Sequence, residues 1–326
     1  MIAVLELAIT AAAIALSAGL AAASLRLRGA AAYVLASYVI AYAEIVIVTA
    51  ALSVPHHVGR WEIIVAVATL LATSIGAWIF VERPRGPSPA QIVRTIATLM
   101  RDRPLVVLAS GAALAFIYIT ALALFTPPNS VDALWYHLAR AAFWRQQHAV
   151  AYIPAANDAR LNGSPPVGEM PVLYTMVVGG TDRFVTMVAL AGYVAITVGV
   201  YGIARRLAVD RREALFAAFA FAMLPVVALQ ASGALNDLVI GSFLVICVYF
   251  CLGHRNVEAV LAGLSMALAF GTKAYAPLAL PIIALIVVLG TPRSRAIKLG
   301  TIGVVAVVIG SIWNIVNLVK TGSKVA

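Results

Sequence analysis

PLVVLASGAALAFIYITALALF, residues 104–125, contains no Asp, Glu, Lys, Arg or His. A run of this length can cross the hydrocarbon core of a bilayer as a helix. Its apolar residues do not alternate with polar ones, and a backbone in lipid must pair its polar groups within one segment or within a closed barrel. The stretch therefore predicts a membrane-spanning helix and excludes a barrel strand.

The composition extends this prediction to the whole chain. Hydrophobic residues make up 63% of the 326 residues and charged residues 11%, whereas about a quarter of the residues of soluble domains are charged. We predict an all-α integral membrane protein with about ten transmembrane helices. The predicted spans are 3–25, 30–54, 62–81, 104–125, 184–204, 214–231, 237–252, 257–272, 276–290 and 299–317.

The first span is predicted to be retained, because it has no basic segment before it and is longer than a signal-peptide core. With the N-terminus outside, 15 of the 23 basic residues fall in inner loops, as the positive-inside rule requires. The predicted localisation is therefore a multi-pass protein of the cell membrane, with basic loops in the cytoplasm. The net charge of +10 is explained by this topology, and nucleic-acid binding is not expected.

Three regions are predicted along the chain. Residues 1–81 form an N-terminal three-helix extension to which no role is assigned. Residues 82–103 combine a Pro/Gly break with a short amphipathic stretch, which is typical of a cytoplasmic linker helix. Residues 104–326 form a seven-helix module. Its Cys247 and Cys251 lie four apart on a predicted membrane helix and are interpreted as packing residues.

The segment 126–183 is predicted to be a long first outer loop with a function, because it is too long for a simple connection. Between Asp132 and Gln147 the apolar residues recur at helical spacing, with Ser130 or Asp132 as the N-cap. This spacing predicts an interfacial helix. Its aromatic residues suit the headgroup zone of the bilayer; they are Trp135, Tyr136, Phe143 and Trp144.

Ionisable and amide residues from distant segments are expected to converge on the outer face; they are Asp132, Glu169, Asn236, Asp237, Lys273 and Lys320. Charged groups at a membrane boundary are functional candidates. Simpler explanations stay open: Asp132 and Asp237 as helix caps, Lys273 as a snorkelling residue, and His137 with Arg140 facing headgroups. A carboxylate here can accept a proton from a hydroxyl, and a lysine can hold a phosphate. Transfer of a sugar from a lipid phosphate needs both.

The chain resembles the GT-C class of membrane glycosyltransferases, in the branch of the dolichyl-phosphate-mannose protein mannosyltransferases and the bacterial lipid A aminoarabinose transferases. Six stretches carry the resemblance, in the family's order: SVDALWYHLARAAFW at 130–144, SPPVGEMPVLY at 164–174, GGTDRFVTMV at 179–188, LQASGALNDLVIGSFLVICVYF at 229–250, GTKAYAPLALP at 271–281 and WNIVNLVKTGS at 313–323. Two departures are an absent arginine before Asn317 and Lys324 in the place of a proline. The chain also ends where relatives usually continue through further helices.

The resemblance implies a GT-C-like bundle and an inverting glycosyltransferase with Asp132 as the catalytic base. The donor is a polyprenyl-phosphate-linked sugar, and the acceptor is a lipid, protein or glycan hydroxyl on the outer face. The resemblance further implies a set of substrate-binding residues: Tyr136, His137, Arg140, Glu169, Asn236, Asp237, Lys273 and Asn317.

Three questions stay open at this point. No cofactor is assigned, although Asp132, Glu169 and Asp237 could hold a divalent metal if they meet. The chain could instead be a transporter or flippase for a polyprenyl-linked or amphipathic substrate. Against this alternative, mid-span positions are expected to be apolar apart from Pro225 and a few glycines, and no repeat pairs them. A third candidate is an inactive structural subunit.

Overall fold

The computed structural model describes residues 2–88, 102–154, 156–290 and 295–321, and these residues are all-helical, with no strand among them. The N-terminal helices are α1 (Ile2–Ser24), α2 (Ala30–Ser53), α3 (Arg60–Phe80) and α4 (Arg103–Phe125). A π-helical turn, Ala133–His137, leads into α5 (Leu138–Gln147), followed by α6 (Arg160–Gly163), α7 (Met170–Gly179), α8 (Met187–Arg206) and α9 (Arg211–Ala222). Next come α10 (Pro225–Gln230), α11 (Asp237–Cys251), α12 (Asn256–Thr272), a 3₁₀ turn (Ala276–Ala279), α13 (Leu280–Gly290), α14 (Arg295–Gly310) and α15 (Ile312–Thr321).

Five of these helices are long and apolar enough to cross a membrane: α1, α2, α3, α4 and α8. A sixth span results if α14 and α15, which meet at a bend of 42°, are counted together. The protein is therefore a multi-pass membrane protein, but the expected count of about ten spans is not confirmed. The predicted span 214–231 is divided between α9 and α10, since Pro225 starts a new helix and cannot donate to the preceding turn. Three other predicted spans are helices or helix pairs of 17 residues or fewer.

The segment 126–183 contains more structure than an outer loop with one interfacial helix. A helix does follow Asp132, as expected, but its Trp144 is fully buried and does not lie in the headgroup zone. In addition, all ten residues of α7 are buried, and α7 packs against α1, α2 and α3. The sequence MPVLYTMVVG carries no charge, so burial is favourable. The segment therefore folds partly into the core.

The three N-terminal helices share a core with the rest of the molecule. Leu35 and Val39 of α2 lie in one buried cluster with Phe243 and Ile246 of α11. On the same side of α2, the Tyr38 hydroxyl lies 2.9 Å from that of Ser242 in α11. The predicted linker helix falls mostly on residues 89–101, which lie outside the described part of the chain.

Candidate functional site

A buried polar network surrounds Glu169, the residue that precedes α7. His137 Nδ1 lies 2.6 Å from Glu169 Oε1, and Asn236 Nδ2 donates to the same oxygen at 2.9 Å. Arg140 Nη1 donates to Oε2 at 3.4 Å. These partners come from the π-helical turn, from α5 and from the residue before α11. The network therefore joins three distant segments, each of which the sequence had singled out.

Glu169 is charged in this network. Burial disfavours the carboxylate, but the Arg140 guanidinium and the His137 hydrogen bond outweigh burial and lower the pKa of Glu169. Arg140 also donates to the Ser164 carbonyl at 2.5 Å and lies over the Trp144 ring, 4.5 Å from its centroid. His137 and Arg140 are both buried, so the alternative in which they face lipid headgroups is wrong.

A cleft of about 290 Å³ adjoins this network. Its lining includes two cationic side chains, Arg160 and Lys273, two aromatic side chains, Tyr136 and Tyr275, and the amide side chain of Asn236. Asn236 connects the cleft to the network, because its Nδ2 atom binds Glu169 and its buried Oδ1 atom has no hydrogen-bond partner among the described residues. The cleft thus offers two cationic side chains and a free acceptor for a hydroxyl.

Asp132 lies beside this cleft and is 56% exposed. Its Oδ1 atom accepts a hydrogen bond from Arg160 Nη1 at 3.2 Å. Arg160 also binds Asp158 at 2.8 Å, and its guanidinium lies 4.6 Å from the Tyr136 ring centroid. Asp132 does not cap the following turn; the Ser130 hydroxyl does, by accepting from the Ala133 N–H at 3.3 Å. The carboxylate of Asp132 is therefore available to solvent next to one cation.

Lys273 follows the last residue of α12 and points to the start of α11. Its Nζ atom donates to Asp237 Oδ1 at 2.9 Å. Burial alone would lower the pKa of Lys273, but the hydrogen bond and the charge of Asp237 outweigh burial and raise it. The N-cap residue of α11 is Asn236, which makes no side-chain capping hydrogen bond, and the Asp237 carboxylate binds Lys273. The ammonium group therefore stays charged at neutral pH and is held at the wall of the cleft.

Helix α15, which follows the bend after α14, supports the part of the cleft wall that contains Gly163 and Ser164. Asn317 of α15 is buried and donates to the Gly163 carbonyl at 3.0 Å. Trp313 donates to the Asn162 carbonyl at 2.8 Å. Asn317 does not itself line the cleft. It binds the backbone of Gly163, which lines the cleft together with Ser164.

The structure brings together the predicted residues Tyr136, His137, Arg140, Glu169 and Asn236, and Lys273, which binds Asp237, lines the same cleft as Tyr136 and Asn236. The three carboxylates considered for a metal do not meet. Asp132 binds Arg160, Glu169 binds Arg140, and Asp237 binds Lys273. Among the described residues no group of three His, Cys, Asp or Glu side chains could hold a metal ion. The site is therefore built from ion pairs.

Sequence reasoning missed Arg160 and the two groups that hold its surroundings, Asn162 and Trp313. Arg160 lies in the stretch NDARLNGS, which has no helical or strand period. Its role depends on Asp132, 28 residues away along the chain, and no local pattern reveals such a contact.

Searches of curated proteins and of solved structures find no match for this chain. A family model does match, over a range that includes Glu169, Asn236, Asp237, Lys273 and Asn317, whereas Asp132 and Arg160 precede it. Residues 164–317 match the model of the family described as dolichyl-phosphate-mannose-protein mannosyltransferase, which confirms over that part of the chain the resemblance to membrane glycosyltransferases found in the sequence.

Proposed function

We propose that this protein transfers a monosaccharide from a polyprenyl-phosphate carrier to an acceptor hydroxyl on the outer face of the membrane, with inversion at the anomeric carbon. The family match supports membrane glycosyltransferase activity in general. The observation that carries the specific proposal is the cleft, which the cations Arg160 and Lys273 line and beside which Arg160 binds the exposed carboxylate of Asp132.

Asp132 is the proposed general base. Its exposed carboxylate accepts the proton of the acceptor hydroxyl, whose oxygen then attacks the anomeric carbon from the side opposite the phosphate. The bond between the anomeric carbon and the phosphate oxygen breaks, and polyprenyl phosphate leaves with the electron pair. Because Arg160 binds Asp132 in the described state, the acceptor must enter beside this ion pair or displace the guanidinium.

The two cations are proposed to hold the donor phosphate. Lys273 is kept charged by Asp237, and a point charge of this kind binds phosphate without a fixed geometry. Arg160 has a planar guanidinium that can bind two phosphate oxygens at once. Their charge stabilises the additional negative charge that develops on the leaving phosphate.

The buried network around Glu169 is proposed to position the site. The contact of His137 with Glu169 joins the turn that carries Tyr136 to the segment that begins α7, and Asn236 joins both to α11. The free Oδ1 atom of Asn236 is then a natural acceptor for a sugar hydroxyl in the cleft. In this proposal the network does not touch the reacting atoms.

The experiment that tests the proposal is transfer of radiolabelled sugar from a panel of polyprenyl-phosphate donors to membrane extract by the purified protein. Transfer that disappears in the Asp132→Asn variant would support the enzyme and name its donor. Absence of transfer with every donor, from protein that elutes as a single folded species, would contradict the proposal.

One observation favours the second candidate, a transporter or flippase for an amphipathic substrate. Mid-span positions were expected to be apolar, but Glu44 lies buried within α2, and carboxylates inside the membrane often belong to translocation pathways. Movement of a fluorescent polyprenyl phosphate across proteoliposomes, at an equal rate in the wild type and in Asp132→Asn, would favour this candidate.

A further inference from the structure

Glu44 is the centre of a polar contact among the three N-terminal helices. The Ser17 hydroxyl of α1 donates to Glu44 Oε1 at 2.7 Å, and the hydroxyl oxygens of Ser17 and Ser74 are 2.8 Å apart. Because Ser17 has one hydroxyl proton and gives it to Glu44, Ser74 of α3 is the donor to Ser17. Each of the three residues lies at least six residues from either end of its helix. The contact is therefore well inside the membrane.

Among the described residues, no Lys, Arg or His forms an ion pair with Glu44. In the same three helices the ion pair of Arg60 with Glu6 lies near the outer ends of α3 and α1. Arg60 precedes Ser74 by 14 residues, or about 21 Å of helix. At the inner end Arg26 follows Ser17 by nine residues, or about 13 Å. Arg85 lines a cavity with Leu16 and Gly19 of α1, but it is exposed and is not paired with Glu44.

The other elements packed against these helices bring no cation to Glu44. From α7, the Tyr174 hydroxyl donates to Thr10 at 2.7 Å, two helical turns from Ser17. From α8 and α12, Arg206 and Glu258 form an ion pair with each other. From α11, Tyr249 lies beneath the Arg206 guanidinium. Tyr38 and Tyr42 of α2 contact Phe243, on the side of the helix away from Glu44.

The second carboxyl oxygen of Glu44 decides its charge state. Oε2 is buried and has no hydrogen-bond partner among the described residues. An ionised carboxylate with one serine donor and no counter-ion is strongly unfavourable in hydrocarbon, whereas a carboxylic acid is neutral. We propose that Glu44 is a proton-binding site inside the membrane, and that the neutral acid with Ser17 and Ser74 fixes α2 between α1 and α3.

This site is separate from the proposed glycosyltransferase cleft. None of Ser17, Glu44 and Ser74 lines the cleft, and all three precede the family match, which begins at residue 164. The two faces of α2 therefore make different contacts. One face packs on α11 through the rings of Tyr38 and Tyr42, and the other carries Glu44. Failure of this inference would leave the proposed transfer reaction unaffected.

Infrared difference spectroscopy between the wild type and Glu44→Gln in lipid vesicles at neutral pH tests the charge state. We expect the carbonyl band of a protonated carboxylic acid to be present in the wild type and absent in the variant. Carboxylate bands in its place would overturn the inference, and a response of those bands to added Na⁺ or K⁺ would identify a bound cation instead of a proton.

Labelling with dicyclohexylcarbodiimide provides a second measurement. The acid proton passes to a carbodiimide nitrogen and the carboxyl oxygen bonds to the central carbon, which gives an adduct containing all atoms of both reactants. We expect peptide mass spectrometry to find the adduct on Glu44 at neutral pH, unchanged in the matched variant Glu6→Gln and lost in Glu44→Gln. Labelling of Glu6 in preference to Glu44 would contradict the inference.

The thermal unfolding midpoint provides a third measurement, because it distinguishes a neutral Glu44 from a charged one. Glu44→Gln keeps the shape without the charge, so we expect its thermal unfolding midpoint in detergent to stay close to that of the wild type. Ser74→Ala should lower the midpoint, whereas Thr73→Ala, which alters the exposed neighbouring position, should not. A Glu44→Gln protein that cannot fold would show that the negative charge is required and would overturn the inference.

Discussion

Arg160 binds two carboxylates that differ in exposure. The Asp158 side chain is 16% exposed and also accepts a hydrogen bond from the Trp135 indole at 2.6 Å, whereas Asp132 has only Arg160 as a hydrogen-bond partner among the side chains described. The hydrogen bonds from Arg160 lower the pKa of Asp158 to about 2. Asp158 therefore holds the guanidinium in place, and Asp132 is left as the carboxylate that an acceptor can reach.

For Asp132→Asn we expect a decrease in kcat of about 10²- to 10⁴-fold, because an amide cannot accept the proton of the acceptor hydroxyl. Donor binding should be retained, since Lys273 and Arg160 are unchanged. The matched control is Asp182→Asn, an acid of the same segment that contacts Thr181 alone among the side-chain partners described. Radiolabel transfer together with donor binding measures both effects. Equal losses in the two variants would contradict the assignment of Asp132.

For Lys273→Gln we expect weaker donor binding, by about tenfold to a hundredfold, which corresponds to about 1.4 to 2.8 kcal/mol. The amide keeps a hydrogen bond to Asp237 but loses the charge that would bind a phosphate. The measurement is the apparent affinity for a polyprenyl-phosphate donor, with Lys320→Gln, an exposed lysine of α15, as the control. An unchanged affinity in Lys273→Gln would remove this residue from the phosphate site.

The Glu169 network makes stability depend on pH. The pKa of Glu169 is lowered in the folded protein, so the native state binds fewer protons than the unfolded state. The stabilisation is therefore lost as the pH falls below the usual glutamate pKa of about 4.3. We expect the thermal midpoint to fall over this acidic range in the wild type, and to fall less in Glu169→Gln. Identical pH profiles would show that Glu169 is not held as a charged group.

At the scale of elements, the contact between α8 and α11 sets the position of Asn236 and Asp237 at the N-terminal end of α11. A Cβ atom on Gly192 of α8 would lie 2.9 Å from the Leu238 carbonyl oxygen and 3.1 Å from its carbon, both of the backbone. Because backbone cannot turn aside as a flexible side chain can, a larger residue at position 192 must displace the first turn of α11. This contact links the packing of two helices to the wall of the cleft.

We expect Gly192→Ala to destabilise the protein by about 1 to 3 kcal/mol and to weaken donor binding. The matched control is Gly303→Ala in α14, where a Cβ atom would meet nothing within 4 Å and where alanine favours the helix by up to about 1 kcal/mol. Thermal midpoints and donor affinities of the two variants check the effect. If Gly192→Ala changed neither the thermal midpoint nor the donor affinity, α11 would have adjusted without moving Asn236.

The elements show how far the sequence alone could reach. The bounds of α1 to α4 were predicted to within two residues, because uninterrupted apolar runs specify membrane helices. The buried helix α7 was missed, since ten apolar residues are too few to indicate a span and were assigned to a loop. Arg140, Glu169, Asp237 and Lys273 were all predicted as site residues, but the pairing of Glu169 with Arg140 and of Lys273 with Asp237 became evident only once α5, α11 and α12 were placed together.

At the scale of the whole molecule, α2 belongs to two sets of contacts. One face lies in the core with α11 and α12, and its Tyr42 donates to the Val167 carbonyl at 3.1 Å, next to the segment that carries Glu169. The other face holds Glu44 against α1 and α3. No role was predicted for residues 1–81 from the sequence. We propose that they hold the catalytic segment in place through the contact of Tyr42 with Val167 and through their packing against α7.

The orientation of the molecule is the remaining large-scale proposal, and it decides on which side of the membrane the cleft opens. Positive residues in the loops at 26–28, 205–212 and 255 favour the cytoplasm for those ends of the helices. Asp132, Lys273 and the turn at His56 should then lie outside. His56 is exposed, and its ring nitrogen Nδ1 lies 3.2 Å from the carbonyl oxygen of Gln147, the last residue of α5.

Single cysteines can test this orientation, because the natural Cys247 and Cys251 are both buried. In a background with both replaced by alanine, we expect His56→Cys to react with a membrane-impermeant maleimide in intact cells, and Arg211→Cys to react only after the membrane is opened. The physical reason is that the cluster of arginines at 205–212 resists transfer across the bilayer, whereas the 52–59 turn contains no lysine or arginine. The reverse pattern of labelling would place the cleft in the cytoplasm. A donor delivered from the outer leaflet could then not reach Lys273, and the proposed direction of transfer would have to be abandoned while the chemistry of Asp132 stayed intact.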